Sequence, residues 1–259
     1  MPEIAEVEVI RRCLAPLVGQ TLHAVDVADV KLRLDAGDVA GVRCQGVLRH
    51  GKLLGLRFGD QVLAVHLRMT GALLFAERPD ARAVLRFDDR ALSFVDPRQF
   101  GTLTVGAVAD FAAGAPVDLL AASDEQIADA ARRACRGRRA VKAVLLDQRA
   151  VTCGIGNYIA DEAVGSVPGV HPAARACDVD VEQWERLLRA ARGVAQMALK
   201  LGGVSMRDYV HPDGSRGSMQ RHLAVYGRVG QPCRRCATPL VKTVVAGRGT
   251  TFCPGCAAT

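Results

Sequence analysis

Cys233-Arg234-Arg235-Cys236 and Cys253-Pro254-Gly255-Cys256 are two tight pairs near the end of a 259-residue chain, with sixteen residues between them. Two such pairs at this separation supply four soft thiolates that can close a tetrahedron on zinc. Each pair suits a tight knuckle, and Leu240 to Val245 followed by Gly247-Arg248-Gly249 predicts a hairpin between them. Four protein ligands leave no open position for a catalytic water, so one structural zinc ion is expected on Cys233, Cys236, Cys253 and Cys256. Arg234, Arg235, Lys242 and Arg248 let this ribbon present positive charge. A ribbon alone implies contact with nucleic acid or protein and does not specify an enzyme.

Upstream of the ribbon the pattern is helical. Ser123-Asp124-Glu125-Gln126 is a capping box, and helical spacing follows at about 124–134, 138–149, 157–166 and 180–200. Residues 106–122, rich in Ala, Gly and Pro, read as a connection. Before it, from about 21 to 106, short alternating runs predict strands: Val25 to Val27, Leu53 to Phe58, Val62 to Leu67, Val84 to Phe87 and Leu92 to Val95. Ile4, Val7, Ile10, Leu14 and Leu17 predict a helix over 3–18. The expected class is α+β in two domains: an N-terminal β-sandwich with an N-terminal helix, then a C-terminal helical domain with a zinc ribbon. The boundaries drawn are 1–106, a linker at 107–122, a helical part at 123–225 and the ribbon at 226–259.

Formal charge is +7, which favours a polyanionic partner because each neutralised phosphate releases condensed counterions. No run reaches the roughly 18 consecutive apolar residues of a membrane helix. The N-terminus places acids before its apolar stretch and bases after it, the reverse of a secretory signal, so a cytoplasmic protein without a membrane partner is expected. Of nine cysteines, Cys13, Cys44, Cys135, Cys153 and Cys177 are scattered and read as small reduced thiols. The basic run from Arg132 to Lys142 reads as a solvated helical face, with added attraction for DNA as the alternative.

Met1-Pro2-Glu3 carries a chemical possibility. Removal of the initiator methionine leaves a secondary amine, partly unprotonated near neutrality, able to attack a sugar C1′ and form an iminium. Glu3 and Glu6 can move protons beside it. The same residues equally suit a helix start, where proline opens the turn and acids complement the dipole.

Pro2-Glu3 with Glu6, a helical middle containing Gly154-Ile155-Gly156-Asn157, and the terminal four-cysteine ribbon together resemble the formamidopyrimidine-DNA glycosylase family, in order and over nearly the whole chain. The resemblance implies a helix–two-turn–helix motif in the helical part, and damaged double-stranded DNA in a basic cleft as the partner of a monomer. It makes Pro2 the Schiff-base nucleophile, Glu3 the group that protonates the ribose, and Glu6 a second carboxylate near them. Lys52, Asn157 and Arg248 match the family's phosphate contacts. Met69 matches the intercalating residue, while Arg98 and Phe100, in Asp96-Pro97-Arg98-Gln99-Phe100-Gly101, match the pair that faces the orphaned cytosine and wedges the stack. The stretch from Arg207 through Gln220, with Tyr226 and Arg228 beyond it, resembles the loop that covers a flipped purine, with Gly214, Gly217 and Ser218 suited to a mobile lid. Removal of 8-oxoguanine and formamidopyrimidines with strand cleavage by β,δ-elimination follows from it. An endonuclease VIII-like enzyme for oxidised pyrimidines and a catalytically silent zinc-ribbon DNA-binding protein are the rivals. Two departures stand out: Ala5 replaces a usual second proline, and Met219 a usual aromatic before Gln220.

Overall fold

Helix α1 (Ile4–Cys13) of the computed structural model begins where Glu3 and Glu6 close a capping box, the Glu3 N–H donating to Glu6 Oε2 at 2.8 Å. The structure describes residues 2–32, 34–206 and 209–258. The helix expected over 3–18 ends at Cys13, because Pro16 cannot donate to the helical ladder and crowds the preceding turn. Ala15–Leu17 instead form a 3-10 turn that still buries Leu17.

Among the described residues ten strands follow: β1 (Thr21–Leu22), β2 (Ala24–Val27), β3 (Val42–Arg43), β4 (Gly46–His50), β5 (Leu53–Phe58), β6 (Gln61–His66), β7 (Ala72–Leu74), β8 (Ala83–Arg86), β9 (Ala91–Val95) and β10 (Thr102–Ala107). They form antiparallel sheets in the orders β10-β6-β5-β4 and β2-β8-β9-β7, with β1 and β3 as a small separate pair. Leu54, Leu56, Leu63 and Val65 of one sheet share a buried cluster with Leu85, Leu92 and Phe94 of the other and with Val7 and Ile10 of α1. This is the expected sandwich with its helix.

One feature of this topology positions loops. The chain passes from one sheet to the other between β6 and β7, and returns between β9 and β10. Because β6 pairs with β10 (His66 opposite Thr102) and β7 with β9 (Ala72 opposite Val95), the two crossovers lie side by side. Met69 is on the first, and Arg98 and Phe100 are on the second.

The second part holds α2 (Asp124–Ala134), α3 (Val141–Leu146), α4 (Asn157–Ser166), α5 (Val181–Lys200), a hairpin of β11 (Val241–Val245) and β12 (Arg248–Phe252), and a short α6 (Pro254–Ala257). Ser123 caps α2 as its sequence predicts: its Oγ accepts the Gln126 N–H at 3.2 Å and the Gln126 side chain accepts the Ser123 N–H at 2.9 Å. The helix expected over 138–149 is shorter, since Ala140 is spent on an isolated bridge to Arg175 and Asp147 turns away to accept the Arg149 N–H.

The chain divides into two units, Met1–Gly114 with Leu201–Ser218, and Ala115–Lys200 with Met219–Thr259. Two boundaries therefore differ from the sequence reading. The first unit runs past 106, because Val108 and Phe111 still pack on it: the Val108 N–H reaches the Asp60 carbonyl and the Phe111 ring lies over Gly55. The segment 201–218, assigned to the helical part by its place in the chain, returns to the first unit, where Tyr209 joins the sandwich core. Among the described residues no helix is long and apolar enough to cross a membrane.

Candidate functional site

In the first unit, Pro2 is buried beside Glu3 and Glu6, each 2% exposed. Met1 lies outside the described residues. Glu6 uses both oxygens as braces: Oε2 accepts the Glu3 N–H, and Oε1 accepts the Val204 N–H at 2.7 Å. Gly203 makes that approach possible, because a Cβ there would stand 2.9 Å from Glu6 Cγ. Tyr209 donates to the Glu6 carbonyl at 3.4 Å. Burial, reinforced by the Glu6 charge, pushes its phenol well above the ordinary value and keeps that donor protonated. The Glu6 side chain thus anchors the helix start to a segment two hundred residues away, a role the sequence could not disclose.

Lys52 follows Gly51 in the β4–β5 turn and is buried. Glu8 of α1 ties this hairpin to the helix: Arg49 Nε reaches its Oε2 at 2.9 Å, while Arg11 and Arg12 hold its other oxygen at 2.8 and 3.0 Å. Burial pushes the Glu8 carboxyl up, but the three arginines outweigh it and bring it down to about 2. His66, at the end of β6, is held down at about 4 by burial and then by the Arg68 and Lys52 charges. Its Nδ1 accepts the Arg68 N–H at 3.1 Å, as a neutral ring must.

Met69 is half-buried, while Arg98 and Phe100 are exposed, with the Arg98 guanidinium 4.8 Å from the Phe100 ring centre. Asp96, 2% exposed, links their loops by accepting the Thr70 hydroxyl and, at 2.7 Å, the Gly101 N–H. Gly101 cannot carry a side chain here, because its Cβ would stand 2.7 Å from the Phe94 ring.

The expected lid begins with Arg207 and Asp208, which lie outside the described residues. Beyond them the segment is pinned. His211 Nε2 meets the Gly202 carbonyl at 2.6 Å, Gly217 donates to Ser205 Oγ at 2.9 Å, and Ser218 donates to the Leu201 carbonyl at 2.8 Å. Gly217 serves close packing rather than mobility, since a Cβ would fall 2.2 Å from the carbonyls of Gly202 and Gly203. Met219, at 2% exposure, is buried in the second unit and so is not available as a surface contact.

In the second unit, Asn157 opens α4 after Gly156 and donates from Nδ2 to the Gly249 carbonyl at 3.0 Å. Arg248 is exposed just after the two-residue turn Ala246-Gly247, whose φ values of 51° and 71° match a tight hairpin. Beneath them lies a residue that the sequence reading misassigned. Lys142 is fully buried, not part of a solvated face: its Nζ meets Asp161 Oδ1 at 2.6 Å, Thr250 Oγ1 at 2.8 Å and the Gly249 carbonyl at 3.0 Å. Asp161 Oδ2 accepts the Thr251 N–H at 2.9 Å. The available signal was a single lysine inside the apolar run Ala140 to Leu146. Arg132, Arg133, Arg136, Arg138 and Arg139 of the same run are exposed as expected.

Tyr226 is half-buried with its ring edge-on to Tyr158, and Arg228 spends its guanidinium on the Ala224 and Pro232 carbonyls and on Gln231. Glu162, also missed, accepts three successive N–H groups, from Ala224, Val225 and Tyr226, at 2.7–2.8 Å.

The four ribbon cysteines converge, with Sγ separations of 3.8 Å (Cys233–Cys256), 3.3 Å (Cys236–Cys253) and 3.5 Å (Cys236–Cys256). A tetrahedron with Zn–S bonds of about 2.3 Å has edges of about 3.8 Å, so the cluster fits one structural zinc. Backbone N–H groups of Arg235 and Cys256 point at Cys233 and Cys253 sulfur, supporting the thiolates.

Family models match in three consecutive blocks: the formamidopyrimidine-DNA glycosylase N-terminal domain over residues 1–103, the H2TH domain of the same enzymes over 118–210, and the zinc finger found in FPG and IleRS over 230–258. The chain belongs to the formamidopyrimidine-DNA glycosylase family. Relatives bearing that name include one from Geobacillus kaustophilus, 38% identical, and one from Thermus thermophilus, 41% identical; 99% of this chain is covered in both, with 99% and 98% of the relatives. Among solved structures, the Thermus thermophilus MutM (Fpg) protein superposes with a TM-score of 0.89 at 39% identity over 98% of each chain. A Lactococcus lactis FPG mutant in complex with Fapy-dG containing DNA gives 0.87 at 29% identity over the whole of both chains. The family is one of DNA repair glycosylases, so the protein is an enzyme of that class and not merely a zinc-ribbon binder.

Proposed function

We propose that this protein excises oxidised purines, 8-oxoguanine and formamidopyrimidines, from duplex DNA opposite cytosine, and then cuts the strand through a Schiff base on Pro2. The observation that carries this reading is the buried N-terminus, where Pro2 stands beside Glu3 and the braced Glu6 carboxylate. The neutral Pro2 nitrogen attacks C1′ of the extruded nucleotide, the N-glycosidic bond breaks, and the damaged base leaves with its electron pair, its uptake of one proton balancing the N–H proton that Pro2 gives up. Glu3 protonates the opening ribose oxygen. The resulting iminium acidifies C2′–H, so loss of that proton expels the 3′-phosphate, and a second elimination expels the 5′-phosphate.

Lys52, Asn157 and Arg248 hold phosphates, and Met69, Arg98 and Phe100 occupy the vacated stack and read the orphaned cytosine. The zinc ion holds the Arg248 hairpin in shape and takes no part in bond making. A Lactococcus lactis relative is described in complex with DNA containing an oxidised pyrimidine, which makes thymine glycol the informative competitor.

The test is borohydride trapping on duplex DNA carrying 8-oxoguanine opposite cytosine. An adduct whose peptide maps to Pro2 supports lesion class and mechanism together. Trapping only on a preformed abasic site keeps the lyase and overturns the substrate. Faster excision of thymine glycol overturns the purine assignment, and absence of any adduct in DNA-binding protein that lacks Met1 overturns the mechanism.

A further inference from the structure

The two crossover loops of the first unit are joined by a polar network, buried at Asp96 and Arg82, that has no part in the proposed chemistry. Asp96 accepts the Thr70 hydroxyl from the β6–β7 loop and the Gly101 N–H of its own loop. Arg82, 6% exposed, lies beneath: one terminal nitrogen donates to the Gly101 carbonyl at 2.7 Å and stands 3.5 Å from Asp96 Oδ2, while Nε donates to Asp29 Oδ2 at 2.7 Å. Its guanidinium carbon is 5.6 Å from the Phe94 ring centre. Nearby, Lys31 Nζ reaches Gln99 Oε1 at 3.0 Å. Each loop also holds one non-glycine residue at positive φ, Arg68 at 52° and Gln99 at 57°, conformations that persist only where the surroundings over-determine them.

Burying this guanidinium and carboxylate is a poor way to gain stability, since well-packed apolar groups do as well or better. What the network supplies is geometry. Two loops some thirty residues apart in sequence are connected through one carboxylate, with Met69 on one side and Arg98 and Phe100 on the other.

We propose that Thr70, Asp96 and Arg82 are positioning residues that lock Met69, Arg98 and Phe100 into a single preformed wedge, coupling filling of the vacated stack to reading of the opposite base. The proposal rests on the intercalating roles assigned to those three residues above. Extrusion of a base costs stacking and pairing energy, and a wedge that must also be ordered during insertion adds its own entropy loss to that barrier. A wedge ordered beforehand does not, and its parts enter together.

The decisive variant is Thr70→Val in the full-length, zinc-loaded protein, because it removes one surface hydroxyl and cuts the connection between the loops. Insertion is read by the fluorescence rise of 2-aminopurine beside 8-oxoguanine, and discrimination by single-turnover excision opposite cytosine and opposite adenine. Misplacement of the wedge slows insertion and excision about tenfold, while cleavage of a preformed abasic site falls much less. The preference for cytosine over adenine drops about threefold as Arg98 loses its fixed register. In a double-mutant cycle, Thr70→Val adds nothing on a Phe100→Ala background. Arg82→Lys, which keeps the charge but loses the fork, shifts the same readouts in the same direction.

Wild-type insertion and discrimination in Thr70→Val, alongside loss of both in Phe100→Ala, overturns the coupling and leaves the wedge roles intact. No effect of Phe100→Ala on either readout overturns the wedge roles and the coupling with them. Equal slowing of excision and abasic-site cleavage in Thr70→Val assigns Thr70 to general stability and also overturns the proposal. Should Arg82→Lys fail to fold, the Thr70→Val result still decides.

Discussion

Pro2, Glu3 and Lys52 of the first unit are buried, with the Glu3 N–H held by Glu6 and the Lys52 hairpin tied to α1 through Arg49 and Glu8, whereas Arg248 of the second stands exposed on a hairpin supported by a cysteine cluster and one buried ion pair. The difference fits the tasks proposed above for the two units. A nucleophilic amine gains from exclusion of water and from a fixed approach. A phosphate contact needs a charge in solvent, with only its base held rigid. A hairpin of two five-residue strands is too small to hold itself, so the second unit spends metal and buried charge where the first spends a sandwich core.

That contrast can be broken from the metal side. Chelation or Cys233→Ser removes a site of the kind worth about 10–16 kcal/mol to a small zinc fold. DNA affinity is expected to fall at least about a hundredfold by titration as the Arg248 contact is lost, while trapping of Pro2 at saturating abasic DNA persists. Full affinity in protein verified to be zinc-free would show that the hairpin stands without its cluster.

Next comes the buried pair beneath the hairpin. Lys142→Met leaves the Asp161 carboxylate without its counter-charge and should destabilise the protein by about 3–5 kcal/mol in urea unfolding. Adding Asp161→Leu should recover most of that loss. Failure of the second change to rescue would mean that the bonds to Thr250, Thr251 and Gly249, and not the charge, carry the effect.

On the first unit, Glu8 gives a smaller and pH-dependent effect. Its carboxyl sits at about 2 in the fold against an ordinary 4.5, so its contribution is fully present above pH 4.5 and is lost as pH falls toward 2. Against wild type, Glu8→Gln should cost about 2 kcal/mol at pH 7, with the gap closing between those pH values. A gap that stays constant with pH would assign Glu8 a packing role. Smallest of all, Ser123→Ala should cost about 1 kcal/mol through loss of the α2 cap, with DNA binding and excision unaltered. A change in excision would tie α2 to the chemistry.

Local signals in this chain were legible because they depend on neighbours in sequence. Ser123 and Gln126 declare a helix start, Leu240 to Val245 with Gly247-Arg248-Gly249 a hairpin, and two cysteine pairs a zinc cluster, all through contacts made within a few residues or by one ligand chemistry. The misreadings have the same root. Apolar spacing continues past Pro16 into the 3-10 turn and so predicts a helix to 18, and Lys142 reads as solvated because its partner Asp161 is supplied by the next helix. Glycines in 214–217 suggested motion, but Gly217 is needed so that two carbonyls can approach it.

The sequence by itself thus determined the two-part α+β organisation, the zinc ligands and the family, since these rest on periodicity, spacing and motif order. Only the tertiary structure decided that Glu6 braces the start of α1, that segment 201–218 returns to the first unit, and that Asp96 joins two crossover loops. Those decisions depend on which strands pair and which buried polar groups find partners. Such choices are made by the whole core at once, and no local run of residues records them.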